Sequence, residues 1–211
     1  ADGFLIDCDR AVSPSLLKRL RMFQLRAAVP IEDAPDVSVT AFEGSADPRS
    51  PLAPPRRIGP SSSEAPGDHA AYHAARIAAG LPEQGIDFGS EEVFPADIDM
   101  DLTNGVDFRK GCFVGQEVVS RMKRRGTARR RTLKVSLADG APSLPAPILA
   151  GPDGFEIGML TSAAGDPAMG LARIRIDRMQ EAVAAGQTIA AGGRPVAFDT
   201  PAWLADELAS L

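Results

Sequence analysis

Past Gly126 the chain breaks into short alternating runs separated by glycine turns, and this limits the fold more tightly than any other feature. Thr132-Leu133-Lys134-Val135-Ser136-Leu137 alternates apolar and polar residues, as does Ala172-Arg173-Ile174-Arg175-Ile176-Asp177. A two-residue period puts one face of a strand into a core and leaves the other in water. Gly151-Pro152-Asp153-Gly154 and Gly165-Asp166-Pro167 read as turns, and residues 188–198 read as a hairpin closed by Gly192 and Gly193. Several short strands so spaced predict a small all-β barrel or sandwich over residues 129–211.

Residues 1–128 have another character. Ser13 and Pro14 supply a cap and a first-turn proline for a helix whose apolar positions include Leu16, Leu17, Leu20 and Phe23. Residues 29–33 and 37–42 read as short strands. Residues 44–67 hold six prolines, three glycines and five serines, which is loop composition. Asp68 caps a second helix that Gly80-Leu81-Pro82 stops, residues 85–108 are acidic and irregular, and a third helix is expected over 114–124. At the start, Asp2-Gly3-Phe4-Leu5-Ile6 reads as a turn entering a strand, as if leaving a hairpin whose first strand is absent. An N-terminal portion is therefore expected to be missing. The expected fold class is α+β: a mixed α/β domain over 1–128 followed by a small C-terminal β-barrel over 129–211.

Composition excludes some functions. No apolar run approaches the roughly 20 residues that span a bilayer, so no membrane partner is expected. Cys8 and Cys112 are far apart and show no CxxC spacing, which reads as a reducing cytoplasm and not as a disulfide framework. His69 and His73 are spaced i, i+4 without a third ligand nearby, so no metal site is expected. Charge is lopsided. The net is −5, yet residues 109–131 hold nine cations against the single acid Glu117. Such a run suits an anionic partner such as a polyglutamate tail, a phosphate or RNA. Its other reading is a face paired with acids from the rest of the chain.

That basic run opens with Arg109-Lys110-Gly111-Cys112-Phe113-Val114-Gly115-Gln116-Glu117. Two cations and a helix start beside Cys112 favour its thiolate form. Cations and free N–H groups together also make an anion-binding ledge. The order Lys-Gly-Cys-Phe-x-Gly-Gln-Glu, from Lys110 to Glu117, resembles the signature of the YgfZ-type folate-binding proteins, relatives of the glycine-cleavage T protein. Further segments resemble that family in the same order: Asp47-Pro48-Arg49, Tyr72-x-x-x-Arg76-x-x-x-Gly80-x-Pro82, Phe94 to Asp101, Gly105 to Phe108, and Gly158-Met159-Leu160-Thr161-Ser162.

The resemblance implies a T-protein-like folate-binding domain and a tetrahydrofolate-binding accessory role in iron–sulfur cluster assembly or repair, acting on iron–sulfur client proteins. Cys112, with Lys110 beside it, would be the reactive pair, as nucleophile, transient cluster contact or redox-sensitive group. Asp97, Asp99, Arg109, Gln116, Glu117 and Arg121 would face the folate. Two positions depart from the family pattern, with Asp97 standing for a glutamate and Asp99 for an asparagine. A carboxylate suits a pterin because it can accept two N–H bonds from the ring edge. The same aspartates can instead cap local N–H groups in a turn. Two other functions compete: folate-dependent aminomethyl transfer, and RNA association through residues 121–131, which lack interleaved aromatics for base stacking. Trp203 is expected to be a core or edge anchor.

Overall fold

The computed structural model describes residues 3–61, 67–113, 115–125 and 129–199, with backbone alone for Arg124 and Arg125. The expectations for Val114 and Trp203 lie outside the described residues. The chain forms two compact units, residues 1–45 with 55–67, and residues 46–54 with 68–211.

The first unit contains helix α1 (Ser13–Gln24) and an antiparallel pair, β1 (Val37–Ser45) and β2 (Arg56–Pro60). Pro14 lies in the first turn of α1, as its fixed φ favours. The cap residue is Val12, not Ser13, and it follows a turn in which Asp9 accepts from Ala11 N–H at 2.7 Å. Two strand expectations fail here. Residues 3–6 and 29–33 are irregular. Strand residues need a partner's hydrogen bonds. In the second case the carbonyls are taken by α1 side chains: Arg21 donates to Ile31 O at 3.0 Å and Gln24 to Val29 O at 2.6 Å.

The second unit contains α2 (His69–Ala78), a 3-10 turn at Pro95–Ile98, α3 (Gln116–Arg125) and a closed six-stranded barrel. Its strands are β3 (Arg130–Leu137), β4 (Ala146–Ala150), β5 (Phe155–Ala164), β6 (Ala168–Arg175), β7 (Ile189–Ala191) and β8 (Arg194–Phe198). Around the barrel the order is β3-β6-β5-β4-β7-β8, and β8 closes on β3 with all pairs antiparallel. Mixed helix and sheet followed by a small C-terminal β-barrel is thus the fold, as the alternation past residue 126 predicts.

The period-2 pattern fills the barrel. Leu133, Val135 and Leu137 of β3 point inward against Ile148, Ile157, Leu160 and Ile174, all at 1% exposure or less. Burying each such side chain contributes about 1.5–3 kcal/mol, so this interior is the main source of stability in the unit. Gly158 lets β5 and β6 approach: a Cβ there would stand 2.5 Å from the Arg173 carbonyl. Gly192 and Gly193, at φ 56° and 77°, close the β7–β8 hairpin where a side chain would be strained.

Asp68 caps α2 as expected, accepting from Ala71 N–H at 3.1 Å, and Gly80 at φ 73° ends it. The alternating run at 172–177 stops being strand at Arg175. From there α4 (Ile176–Ala184) buries Ile176, Met179 and Ala182 against the barrel. That helix is absent from the sequence reading, although the three-residue spacing of its buried positions signals it.

Candidate functional site

The segments that resemble family motifs meet in three places. In the first, Arg76 of α2 is 2% exposed and fully committed. Its Nη1 donates to Asp87 Oδ2 at 2.6 Å and to the Leu81 carbonyl at 3.1 Å, its Nη2 to Ser162 Oγ at 3.0 Å, and its Nε to His73 Nδ1 at 3.0 Å. Glu83 Oε2 lies 3.0 Å from the same Nε. Asp87 Oδ1 accepts from Thr161 Oγ1 at 2.6 Å and from Ser162 Oγ, while Oδ2 also accepts from Glu83 N–H at 2.8 Å.

Neighbouring strand residues normally point to opposite faces. Thr161 and Ser162 reach one carboxylate because β5 bulges there: Leu160 pairs with Ala172, but Ser162 pairs with Leu171. At the far end of this cluster Asp47 grips Arg49 through both oxygens, with Nη2 to Oδ2 at 2.7 Å. Burial first, then the charge of Glu83, raises the Tyr72 phenol above its usual value, while Arg49 pulls it down. This cluster ties α2 and the 82–88 turn to the barrel. Its chemistry is that of a structural clamp, with Arg76 set against Asp87 and Glu83 and Arg49 against Asp47.

In the second place, the acidic segment closes over the start of β3. Asp97 and Asp99 are each 5% exposed. Asp97 Oδ2 accepts from Phe94 N–H at 3.1 Å, and the Asp97 carbonyl accepts from Thr132 Oγ1 at 2.9 Å. Asp99 holds a left-handed φ of 56° and stands 3.5 Å from Arg131 Nη1. Arg131 also donates to both oxygens of Asp101, at 2.7 and 3.2 Å, and to the Ala96 carbonyl at 3.0 Å. Here the Asp97 carboxylate is turned to an internal N–H and the Asp99 carboxylate toward the Arg131 guanidinium, and a pterin role for them rests on the family resemblance alone. Arg131 is 2% exposed, which removes one cation of the basic run from the surface.

The third place is the signature loop. Asp107 turns the chain by accepting from Arg109 N–H at 2.8 Å, and Arg109, Lys110 and Cys112 are exposed. Lys110 Nζ sits 4.5 Å from the Phe113 ring centre, and Lys123 Nζ sits 5.5 Å from that of Phe108. Each such contact contributes about 0.5–1 kcal/mol at an exposed site, enough to bias where the ammonium groups stand. Gly115 adopts φ 85° with open space about it, then Gln116 begins α3, with Glu117 and Arg121 exposed on it. The helix packs beside the 95–98 turn, so the signature and the acidic segment are neighbours. The loop presents a free thiol, cations and two aromatic rings to solvent. Of the sequence-chosen residues, the cations and Cys112 face outward and the aspartates inward. His73 is engaged with Arg76, and among the described residues no three His, Cys, Asp or Glu side chains are placed to hold a metal ion. No helix among them is long and apolar enough to cross a membrane. Sequence reasoning missed Asp87, whose only local signal is its place between Gly85 and Gly89.

A closed barrel that starts at Arg130 and carries an acidic cap defines a class of domain: residues 129–206 match the C-terminal beta-barrel domain of CAF17. Beyond the barrel, the chain is 30% identical over 168 residues to an iron-sulfur cluster assembly factor IBA57 homolog, mitochondrial, of Pyricularia oryzae, covering 65% of this chain and 42% of that protein. It is 30% identical over 170 residues to iron-sulfur cluster assembly factor IBA57, mitochondrial, of Mus musculus (68% of this chain, 48% of that protein). The Homo sapiens protein of the same name is 29% identical over 170 residues (67% and 47%). The chain belongs to the YgfZ/IBA57-type family. It spans less than half the length of these relatives. Among solved structures, glycine cleavage system aminomethyltransferase T from Bartonella henselae aligns with 60% of this chain and 36% of its own, at 17% identity and a TM-score of 0.41. One expectation is overturned. Cysteine usage reads as cytoplasmic, but the relatives are named mitochondrial, which points to the mitochondrion; both compartments keep thiols free, so the cysteine count cannot separate them.

Proposed function

We propose that this chain serves iron–sulfur cluster assembly, with Cys112 as the group that meets the cluster or its carrier and the cations around it drawing an anionic folate. The observation that carries this reading is the relation to proteins named as iron–sulfur cluster assembly factors along about two thirds of the chain. Exposure of the signature thiol supports it, because a buried thiol could not reach a client. The donor set that fits a folate is the cationic one: Arg109, Lys110 and Arg121 are exposed and suit the carboxylates of its glutamate tail. Such contacts stand in water and weaken with salt.

The test is genetic and chemical together. In cells depleted of their own family member, the full-length protein restores iron–sulfur enzyme activity and its Cys112→Ser variant, present at equal level, does not. Full rescue by that variant removes the thiol from the proposal. Separately, titration with tetrahydrofolate gives saturable binding that weakens several-fold in Lys110→Gln and with added salt. Absence of binding to the full-length protein removes the folate.

A further inference from the structure

Three cations of the basic run suffice for the folate contacts proposed above, and the structure leaves three more near them. Arg109, Lys110, Arg121, Lys123, Arg129 and Arg130 are all exposed, and none of these side chains has a carboxylate partner among the described residues. In a chain whose 28 acids outnumber its 23 bases, neutralising partners are plentiful. Those of the acidic segment are spent elsewhere: Asp97 accepts from Phe94 N–H, and Asp101 takes the buried Arg131. A surface left positive in this way gathers anions.

The fold carries these charges onward from the signature loop. Lys123 Nζ lies 5.5 Å from the Phe108 ring centre, which ties the last turn of α3 to the start of that loop. The 95–98 turn packs against both α3 and β3, so Arg129 and Arg130, at the entry to β3, are held near the helix. Cations thus continue from the loop along α3 to the first strand of the barrel. One carboxylate is satisfied by a single guanidinium fork, so a succession of cations suits a ligand whose carboxylates repeat along a chain. Phe108 and Phe113 each carry an ammonium over the ring, and neither offers the bare platform on which nucleic-acid bases stack. Repeated carboxylates without bases describe a γ-linked oligoglutamate. Resting on the folate reading above, we propose that Lys123, Arg129 and Arg130 form a track for the tail of polyglutamylated folates, which makes the polyglutamylated form, and not the monoglutamate, the ligand of this protein.

Anaerobic titration of the full-length protein with tetrahydrofolate carrying either one glutamate or five reads the track directly. A few exposed ion pairs of ordinary strength together amount to roughly tenfold in affinity, so the pentaglutamate is expected to bind about that much tighter. Added salt should shrink the ratio of the two affinities toward one. The double variant Arg129→Gln, Arg130→Gln, and independently Lys123→Gln, should lower the pentaglutamate affinity several-fold and leave the monoglutamate affinity unchanged. All three positions are exposed, so an unchanged thermal midpoint is expected in each variant. Equal affinity for the two ligands overturns the track and leaves the folate reading standing, as does a pentaglutamate advantage that both variants retain. Binding of neither ligand overturns the folate reading and the track together. A short single-stranded RNA that displaces the pentaglutamate at a lower concentration than the γ-linked pentaglutamate peptide does would assign the surface to RNA, and also overturns the proposal.

Discussion

Arg76 and Asp87 form a closed ion pair, Nη1 to Oδ2 at 2.6 Å, with each side chain 3% exposed. Breaking such a pair leaves a charge in a low-dielectric interior, whereas replacing both members does not. Arg76 stands on α2 and Ser162, which accepts from its Nη2, stands on β5, so the pair's integrity decides whether helix and barrel stay joined.

Arg76→Met is therefore expected to cost about 3–5 kcal/mol, read as a lower denaturant midpoint of the full-length protein. Arg76→Lys should recover little, because one ammonium cannot reach His73, Leu81, Asp87 and Ser162 from a single point. The double variant Arg76→Met, Asp87→Leu should be clearly more stable than Arg76→Met alone. Equal stability of single and double variants would show that the penalty is not an orphaned charge.

Arg131 makes a comparable claim at the barrel's mouth. Arg131→Met should destabilise by about 3 kcal/mol or more, since Asp101 would lose two hydrogen bonds and Asp99 a nearby charge. Asp199→Asn, which breaks a pair with Lys134 at 2.9 Å on the surface, should shift stability by less than about 1 kcal/mol. High salt should erase the second effect and leave the first.

The barrel was readable in advance because a two-residue period is enforced along every strand by a sealed interior, as Leu133, Val135 and Leu137 show. Helix α2 was readable because Asp68 and Gly80 each do one local job that few other residues can do. Residues 29–33 look like a strand because apolar content reports burial tendency, and whether a neighbouring strand exists is decided elsewhere in the chain. The clamp at Asp87 was illegible for a related reason. Its partners Thr161, Ser162 and Arg76 are distant in sequence, and only a bulge in β5 turns both hydroxyls the same way. The basic run misled in part: nine cations in one stretch read as one surface, but Arg131 sits at an inward strand position and is buried.

Gly158→Ala tests how closely β5 and β6 must approach. A methyl group there meets the Arg173 carbonyl and Ile174 Cδ1 at 2.5 Å, and the backbone of β6 has no room to yield without breaking its ladder. Loss of about 1–3 kcal/mol is expected, seen as a lower thermal midpoint. Gly111→Ala, where no atom lies within 4 Å of the new Cβ, should leave that midpoint unchanged.

Asp177 gives the acid limb a marker. The Arg175 guanidinium, donating to it at 2.6 and 2.9 Å, is the main cause that lowers its carboxyl from 3.8 to about 2. A depressed carboxyl binds its proton later in the folded state than in the unfolded one. Its stabilisation is therefore fully present above 3.8 and disappears as pH falls through about 2. The group also stands in the first turn of α4, where the helix dipole favours negative charge. Because both side chains are partly exposed to solvent, the effect should be no more than about 1 kcal/mol. Asp177→Asn should accordingly melt slightly below the parent at neutral pH, with the difference closing as pH is lowered toward 2. A difference that persists unchanged in acid would mean that Asp177 acts through packing and not through its charge.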